Sequence, residues 1–135
     1  SVIEQFSSTQ ASKYLDKLEL GNFFDYTKPI ELIKYLIKRL HTNNEIIIDF
    51  FSGSATTADA VMQLNSEDGA KRKHIQIQLP EPIDDKSEAF KAGYKTISEL
   101  GIERIRRAAK KIAEENPDKV KDLDLGFKVF QITHK

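Results

Sequence analysis

The chain has 135 residues, with 39% hydrophobic and 31% charged, which is one domain's worth and reads as globular rather than disordered. Lysine plus arginine and aspartate plus glutamate stand at 21 each, so net charge points to no polyanionic partner. Cysteine is absent, which excludes disulfides, thiolate zinc sites and a cysteine nucleophile and fits a reducing cytoplasm. No apolar run approaches the roughly 20 residues that span a bilayer, and no cationic leader precedes an apolar stretch. The chain opens at Ser1 without a methionine, as a fragment or a processed product would.

Residues 1–26 read as an irregular lead-in from an upstream region. Within it "ASKYLDKLEL" (11–20) suits a short helix with Tyr14, Leu15 and Leu18 on one side, stopped by Gly21-Asn22. Thr27 as N-cap and Pro29 in the first turn open the next helix. Ile30, Ile33, Leu36, Ile37 and Leu40 recur along it at helical spacing. Residues 46–50 show no alternation, which predicts a strand buried on both faces of a parallel sheet. A helix from about Thr56 to Leu64 follows, then a polar loop over 65–73. The alternating stretch 74–79 predicts a second strand, stopped by Pro80 and Pro82. A long helix runs to Asn116-Pro117, and "GFKVFQI" (126–132) predicts a third strand. Strands alternating with helices imply a parallel sheet with right-handed crossovers and an α/β three-layer fold.

The loop "DFFSGSATT" lies at the carboxyl end of the first strand, where open α/β sheets bind ligands. Small residues there let the backbone approach a ligand. Thr56 and Thr57 place hydroxyls and amides at a helix start, which favours a carboxylate or phosphate. Asp49 suits an ammonium. Together they fit a zwitterion such as an amino-acid head group. The loop is neither a P-loop, since no lysine follows the glycine, nor a nucleophile elbow, nor a full G-x-G-x-x-G. Taken alone it also reads as a tight strand-to-helix turn that binds nothing.

With its neighbours the loop becomes more specific. "TKPIELIKYLI" (27–37), "IIIDFFSGSATTADAV" (46–61) and "RKHIQIQLPEP" (72–82), in that order and spacing, resemble the β-class amino-methyltransferases of DNA. Within that class they are most similar to the modification subunits of type III restriction–modification systems. "YKTISELGIERIRRAAKKI" (94–112) and "LGFKVFQI" (125–132) are similar to the helix and strand that follow in that family. The resemblance implies a Rossmann-like methyltransferase fold, present here in part, with residues 27–135 as its S-adenosylmethionine-binding portion. It implies adenine-N6 methylation of duplex DNA after base flipping, in the cytoplasm, with a restriction subunit as partner and no membrane. By resemblance Asp49, Phe51, Gly53 and Ser54 line the methionine part of the cofactor. Thr56 and Thr57 sit beside it, and Thr27, Lys28 and Pro29 match the segment that closes over it. Gln78 stands where many relatives carry an acid for the ribose hydroxyls, with Glu81 as a substitute three residues on.

Two features depart from the family. Ala55 replaces the second glycine of G-S-G, and alanine takes φ > 0 with difficulty, so the turn is expected to use ordinary backbone angles. The catalytic D/N-P-P-Y segment is absent, because none of the four prolines is adjacent to another. No catalytic residue is therefore expected in this chain. Cutting a sheet at its central strand would leave 46–50 as an apolar edge, so the isolated chain is expected to self-associate or be marginally stable. The alternative reading is a nucleotide- or phosphate-binding α/β module without methyl transfer.

Other features have plainer readings. "ERIRRAAKK" (103–111) reads as the solvated side of an amphipathic helix whose inner face is Ile102, Ile105, Ala109 and Ile112. The three histidines lack ligand spacing, so no metal site is expected. Phe50 reads as core and Phe51 as a ligand contact.

Overall fold

The computed structural model describes residues 8–24, 26–40 and 43–134. Its elements are α1 (Ser8–Lys17), α2 (Ile30–Arg39), β1 (Ile46–Asp49), α3 (Thr56–Asp68), β2 (Lys73–Gln76), α4 (Glu88–Lys91) and α5 (Ile97–Glu115). This is an α/β arrangement of a small parallel sheet with flanking helices. No helix among the described residues is long and apolar enough to cross a membrane.

Helix α3 is the centre of the molecule. Its first seven residues, Thr56 to Met62, are all buried, because the small side chains of Ala58 and Ala60 let neighbours close in on opposite sides. Ala58 and Met62 join Leu15, Leu18 and Leu20 from the α1 region and Ile105, Ala108 and Ile112 from α5 in one cluster. Ala60, Val61 and Leu64 join Ile30 and Ile37 of α2 in a second. The helix continues through residues 65–68, where a polar loop is expected from composition. It ends where Gly69 takes φ 72 and donates its N–H to the Asn65 carbonyl at 3.0 Å, the left-handed C-terminal turn that glycine supplies.

The first helix is met as α1, with Leu15 and Leu18 buried and Tyr14 half-buried. In α2 the capping expectation fails. Pro29 holds the cap position without a side-chain hydrogen bond, and the Thr27 hydroxyl turns toward α3 instead. The inner face of α2 is Ile30, Ile33, Lys34 and Ile37, while Leu36 and Leu40 are exposed. The buried Lys34 stem ends in ion pairs with Glu67 of α3 and Glu31, which is how a lysine occupies an inner position. In α5 the buried set is Leu100, Gly101, Arg104, Ile105, Ala108 and Ile112. The helix is therefore rotated from its expected face, and Arg104 points inward.

The two strands run parallel, Ile46 opposite Lys73 and Asp49 opposite Gln76, with α3 as the crossover. Burial alternates along both strands, contrary to a strand covered on both faces. Ile47 packs against the second cluster. Ile46, Ile48, Phe50, Ile75, Ile77 and Leu79 are exposed, since no element among the described residues covers that face. Phe50 is accordingly not core. Residues 126–132 form no strand. Leu123, Leu125 and Phe127 lean on the first cluster, but the backbone finds no ladder partner among the described residues, and β-propensity without a partner does not make a strand.

His74 lies on the inner side of β2, half-buried, and its Nδ1 meets no hydrogen-bond partner among the described residues. Burial pulls its imidazole below the usual range, opposed by the charge of Asp124. The fold therefore favours the neutral ring, and the unfolded chain binds the extra proton first. Stability should fall as pH drops below the ordinary histidine value of about 6.5. Urea midpoints are expected to be lower at pH 5.5 than at pH 7.5, with the difference reduced in His74→Gln. Equal slopes in the two proteins would assign the pH dependence elsewhere.

Candidate functional site

The polar convergence of the molecule lies where β1 runs out. Asp49 accepts the Phe51 N–H on Oδ1 at 2.9 Å and the Thr57 hydroxyl on Oδ2 at 2.7 Å. One carboxylate thus ties the strand end to the first turn of α3. Parallel pairing continues past the strands, with the Ile77 N–H donating to the Asp49 carbonyl at 2.9 Å and the Ser52 N–H to the Ile77 carbonyl at 3.1 Å. Gln78 then accepts the Gly53 N–H on Oε1 at 2.7 Å. Its amide end donates to the Leu79 carbonyl at 3.1 Å.

The turn itself is tight. Gly53 has φ 52 and Ala55 φ 61, ψ 32, so the expectation of ordinary angles at Ala55 is wrong. The reason is packing. Ala55 is fully buried in the first cluster, and a Cβ on Gly101 of α5 would lie 3.8 Å from the Ala55 Cβ and 3.1 Å from the Gly53 carbonyl oxygen. The left-handed conformation costs an L-residue about 1–2 kcal/mol. Burying the methyl returns about 0.8 kcal/mol.

Three hydroxyls stand together under the turn. Thr27 Oγ1 lies 2.7 Å from Ser54 Oγ and 3.3 Å from Thr56 Oγ1, and Ser54 Oγ lies 3.1 Å from Thr56 Oγ1. Below them is the Arg104 guanidinium, 1% exposed. Its Nη1 donates to the Ser54 carbonyl at 2.9 Å and approaches all three hydroxyls at 3.4–3.5 Å. Its Nε donates to Asp59 Oδ2 at 3.0 Å. Asp59 also accepts from Tyr14 at 3.2 Å and from Gln63 at 3.0 Å. Burial pushes the Asp59 carboxyl up, and the Arg104 charge with the Gln63 and Tyr14 donors pulls against it. Burial pushes the Tyr14 hydroxyl up as well, reinforced by the Asp59 charge.

Above the turn is a cleft of about 80 Å³ lined by Tyr26, Thr27, Lys28, Asp49, Phe51, Ser52, Gly53, Ser54, Thr56 and Thr57. The structure thus gathers the residues singled out from sequence, except two. Pro29 is buried at the start of α2, and Gln78 lies outside the cleft lining, on the sheet side of the turn, half-buried and accepting the Gly53 N–H. Phe51 is 83% exposed, a free ring at the rim. Arg104 and Asp59 are the residues that sequence reasoning missed. A larger cleft of about 350 Å³ runs between α1, α3 and α5. Its polar groups satisfy one another, as in the Lys111–Glu115 pair and the Ser66–Gln63 and Asn116–Ile112 bonds, so it presents no convergent set.

Comparison with known proteins adds a second kind of observation. A family model for DNA methylases matches residues 3–115. The Mod subunit of the type III restriction-modification enzyme StyLTI from Salmonella typhimurium is 42% identical over 125 residues, 93% of this chain and 19% of that protein. The Mod subunit of the type III enzyme EcoP15I from Escherichia coli is 40% identical over 114 residues, covering 84% and 16%. The type II methyltransferase M.KpnI from Klebsiella pneumoniae is 35% identical over 100 residues, covering 74% and 24%. The chain spans at most about a quarter of the length of these relatives.

The turn makes a stability prediction. At Gly53 an added methyl meets little but the Phe51 carbonyl oxygen at 3.9 Å, so Gly53→Ala should lose only the backbone cost, about 1–2 kcal/mol. In Ala55→Gly, strain relief and lost burial oppose each other, and stability should change by less than about 1 kcal/mol. Chemical denaturation of both variants checks this. A greater loss at Ala55 than at Gly53 would mean that methyl packing, not backbone strain, governs the turn.

Proposed function

This chain belongs to the DNA methylase family, and from that premise we propose that it is the S-adenosylmethionine-binding segment of a site-specific DNA adenine-N6 methyltransferase, the modification subunit of a type III restriction–modification system. The observation that carries the reading is the cleft above the 52–57 turn, where an acid, a helix start and a free aromatic ring converge. Both Asp49 oxygens already accept one bond, yet a carboxylate offers about four lone-pair sites. An ammonium can therefore be added without breaking the turn. The first-turn amides of α3 have no intrahelical acceptors and carry the positive end of the helix dipole, which suits a carboxylate. The cleft has room for an amino-acid head group rather than a whole nucleoside.

When bound, the cofactor supplies an electrophilic methyl group on its sulfonium. The chain's own residues hold and orient it. Asp49 takes the ammonium, and Thr56 and Thr57 at the helix start take the carboxylate. Gly53 and Ser54 form the floor, Phe51 covers one side, and Thr27 and Lys28 the other. Pro29 fixes the path of the Thr27–Lys28 segment, and Gln78 keeps one lone pair for a ribose hydroxyl while supporting Gly53. Residues 27–135 form the cofactor-binding part of a three-layer, Rossmann-like domain in a cytoplasmic enzyme. Base flipping and methyl transfer belong to a D/N-P-P-Y segment elsewhere in such an enzyme. Duplex DNA and a restriction subunit are its partners.

Removing the Asp49 charge while keeping its shape tests the reading. Hydrogen bonds to charged groups contribute about 1.5–3 kcal/mol, so Asp49→Asn should weaken S-adenosylmethionine binding about 30-fold in isothermal titration. The wild-type chain should prefer S-adenosylmethionine to AMP, ATP and inorganic phosphate. Preference for the phosphates would favour a nucleotide- or phosphate-binding module instead.

Self-association of the isolated chain should proceed through the open β1 side. Ile48 is 50% exposed there, whereas Ile47 is half-buried against the second cluster. Light scattering should therefore show a smaller mean mass for Ile48→Lys than for the wild type. A monomeric wild-type chain at high concentration would refute this.

A further inference from the structure

The Arg104 side chain does two separable things. Its Nε end faces the buried Asp59, and its Nη1 end leaves that pair and reaches the turn. We propose that Arg104 is the positioning residue of the 52–57 turn, fixing the Ser54–Ala55 peptide and the Thr27–Ser54–Thr56 hydroxyls in the arrangement that receives the amino-acid end of the cofactor. The proposal rests on the cofactor reading above and adds a residue that touches no cofactor itself.

The Ser54–Ala55 peptide plane is held at both ends. Its carbonyl accepts from Arg104 at 2.9 Å, and its N–H donates to the Ser52 carbonyl at 2.8 Å. With that plane fixed, the chain can enter α3 only by rotation at Ala55, which takes φ 61. The strained angle thus adjoins a peptide that α5 holds, beside the methyl that α5 packs.

The guanidinium also gives the hydroxyls a direction. It is donor-only; with one Nη1 proton on the Ser54 carbonyl, the other faces the three hydroxyl oxygens at 3.4–3.5 Å, which therefore do not point their protons at it. The Thr56 hydroxyl lies 3.4 Å from the Lys28 carbonyl and donates there. With that proton placed on the Lys28 carbonyl, Ser54 is left to donate to Thr56 and Thr27 to Ser54, whose oxygens lie 3.1 and 2.7 Å apart respectively. This order fastens the Thr27–Lys28 segment to the turn, so both walls of the cleft depend on one cation.

A lysine cannot substitute. Its single ammonium cannot occupy the Nε position against Asp59 and the Nη1 position against Ser54, whereas the guanidinium fork spans both. A purely structural pair, by contrast, can be replaced by apolar residues of similar volume without loss of stability. That difference separates positioning from packing.

The test uses the 135-residue chain in four forms: wild type, Arg104→Lys, Arg104→Met, and Arg104→Met combined with Asp59→Leu. Denaturation, backbone amide exchange at residues 53–57 and titration with S-adenosylmethionine are measured on each. Arg104→Met should be the least stable, because it leaves Asp59 buried and unpaired. The double variant should regain stability but keep at least tenfold faster exchange in the turn and at least tenfold weaker cofactor binding. Arg104→Lys should show the same local loosening with little global loss, and it decides the matter if the double variant fails to fold. A folded double variant or Arg104→Lys with wild-type turn exchange and wild-type affinity would overturn the proposal. If the wild-type chain binds no S-adenosylmethionine, the cofactor reading falls. Exchange in the turn then still decides, with faster exchange supporting Arg104 as its positioning residue and unchanged exchange overturning it.

Discussion

A guanidinium and a carboxylate meet in the middle of a core of alanines, leucines and isoleucines. Arg104 and Asp59 are 1% and 0% exposed, and moving each from water costs several kcal/mol. Their mutual bond at 3.0 Å offsets only part of this, and the rest comes from partners on other elements. Asp59 draws in Tyr14 of α1 and Gln63 of α3. Arg104 draws in Ser54 before α3 and approaches Thr27 before α2. Because an unpaired charge here would cost about 3–5 kcal/mol, these segments must meet in one geometry. Apolar burial alone would hold the helices together with less precision.

The small residues at the strand end follow from that demand. Gly53 and Ala55 sit between a helix that approaches from below and a strand that arrives from the side, and Gly101 on α5 removes the side chain that would separate them. In α3, Ala58 and Ala60 let two clusters pack on opposite sides of one short helix. The sequence "GSATTADA" is therefore read twice by the fold. Its backbone makes the turn, and its lack of bulk makes the crossing of helices around it.

Much of this was legible before any coordinates. The helices α1, α2, α3 and α5 and the parallel pairing of β1 with β2 follow from turn residues and periodicity. Asp49, Thr56 and Thr57 stand out from their place at the end of β1, whereas Thr27, Lys28, Phe51, Gly53 and Ser54 are singled out by family resemblance. The failures have specific causes. For α5, two phases of the helix share Ile105 and Ile112. The face through Ile102 and Ala109 contains no charge, while the true face through Leu100, Gly101 and Ala108 contains Arg104. A rule that keeps charges outside selects the wrong phase, because the arginine's partner lies 45 residues away on α3. Thr27 misleads in the same way, since it has the composition of a cap but finds a better acceptor and donor set on Ser54 and Thr56. The 126–132 segment fails for the opposite reason. Its pattern is that of a strand, but strand formation depends on a neighbour that a local pattern does not contain.

The turn is held from two independent directions. From the sheet side, the Ser52 N–H reaches the Ile77 carbonyl and the Gly53 N–H reaches Gln78. From the helix side, Arg104 holds the Ser54 carbonyl. Two sheet-side anchors and one helix-side anchor thus fall on three consecutive residues, so 52–54 cannot shift toward either side without losing a bond on the other. What remains unopposed is the third direction, past Asp49, Lys28 and Phe51, where the cleft lies. An acid and a base both line it, Lys28 exposed and Asp49 half-buried. On the β1 side of that opening the carboxylate is already held in place, by the Phe51 N–H on one oxygen and the Thr57 hydroxyl on the other.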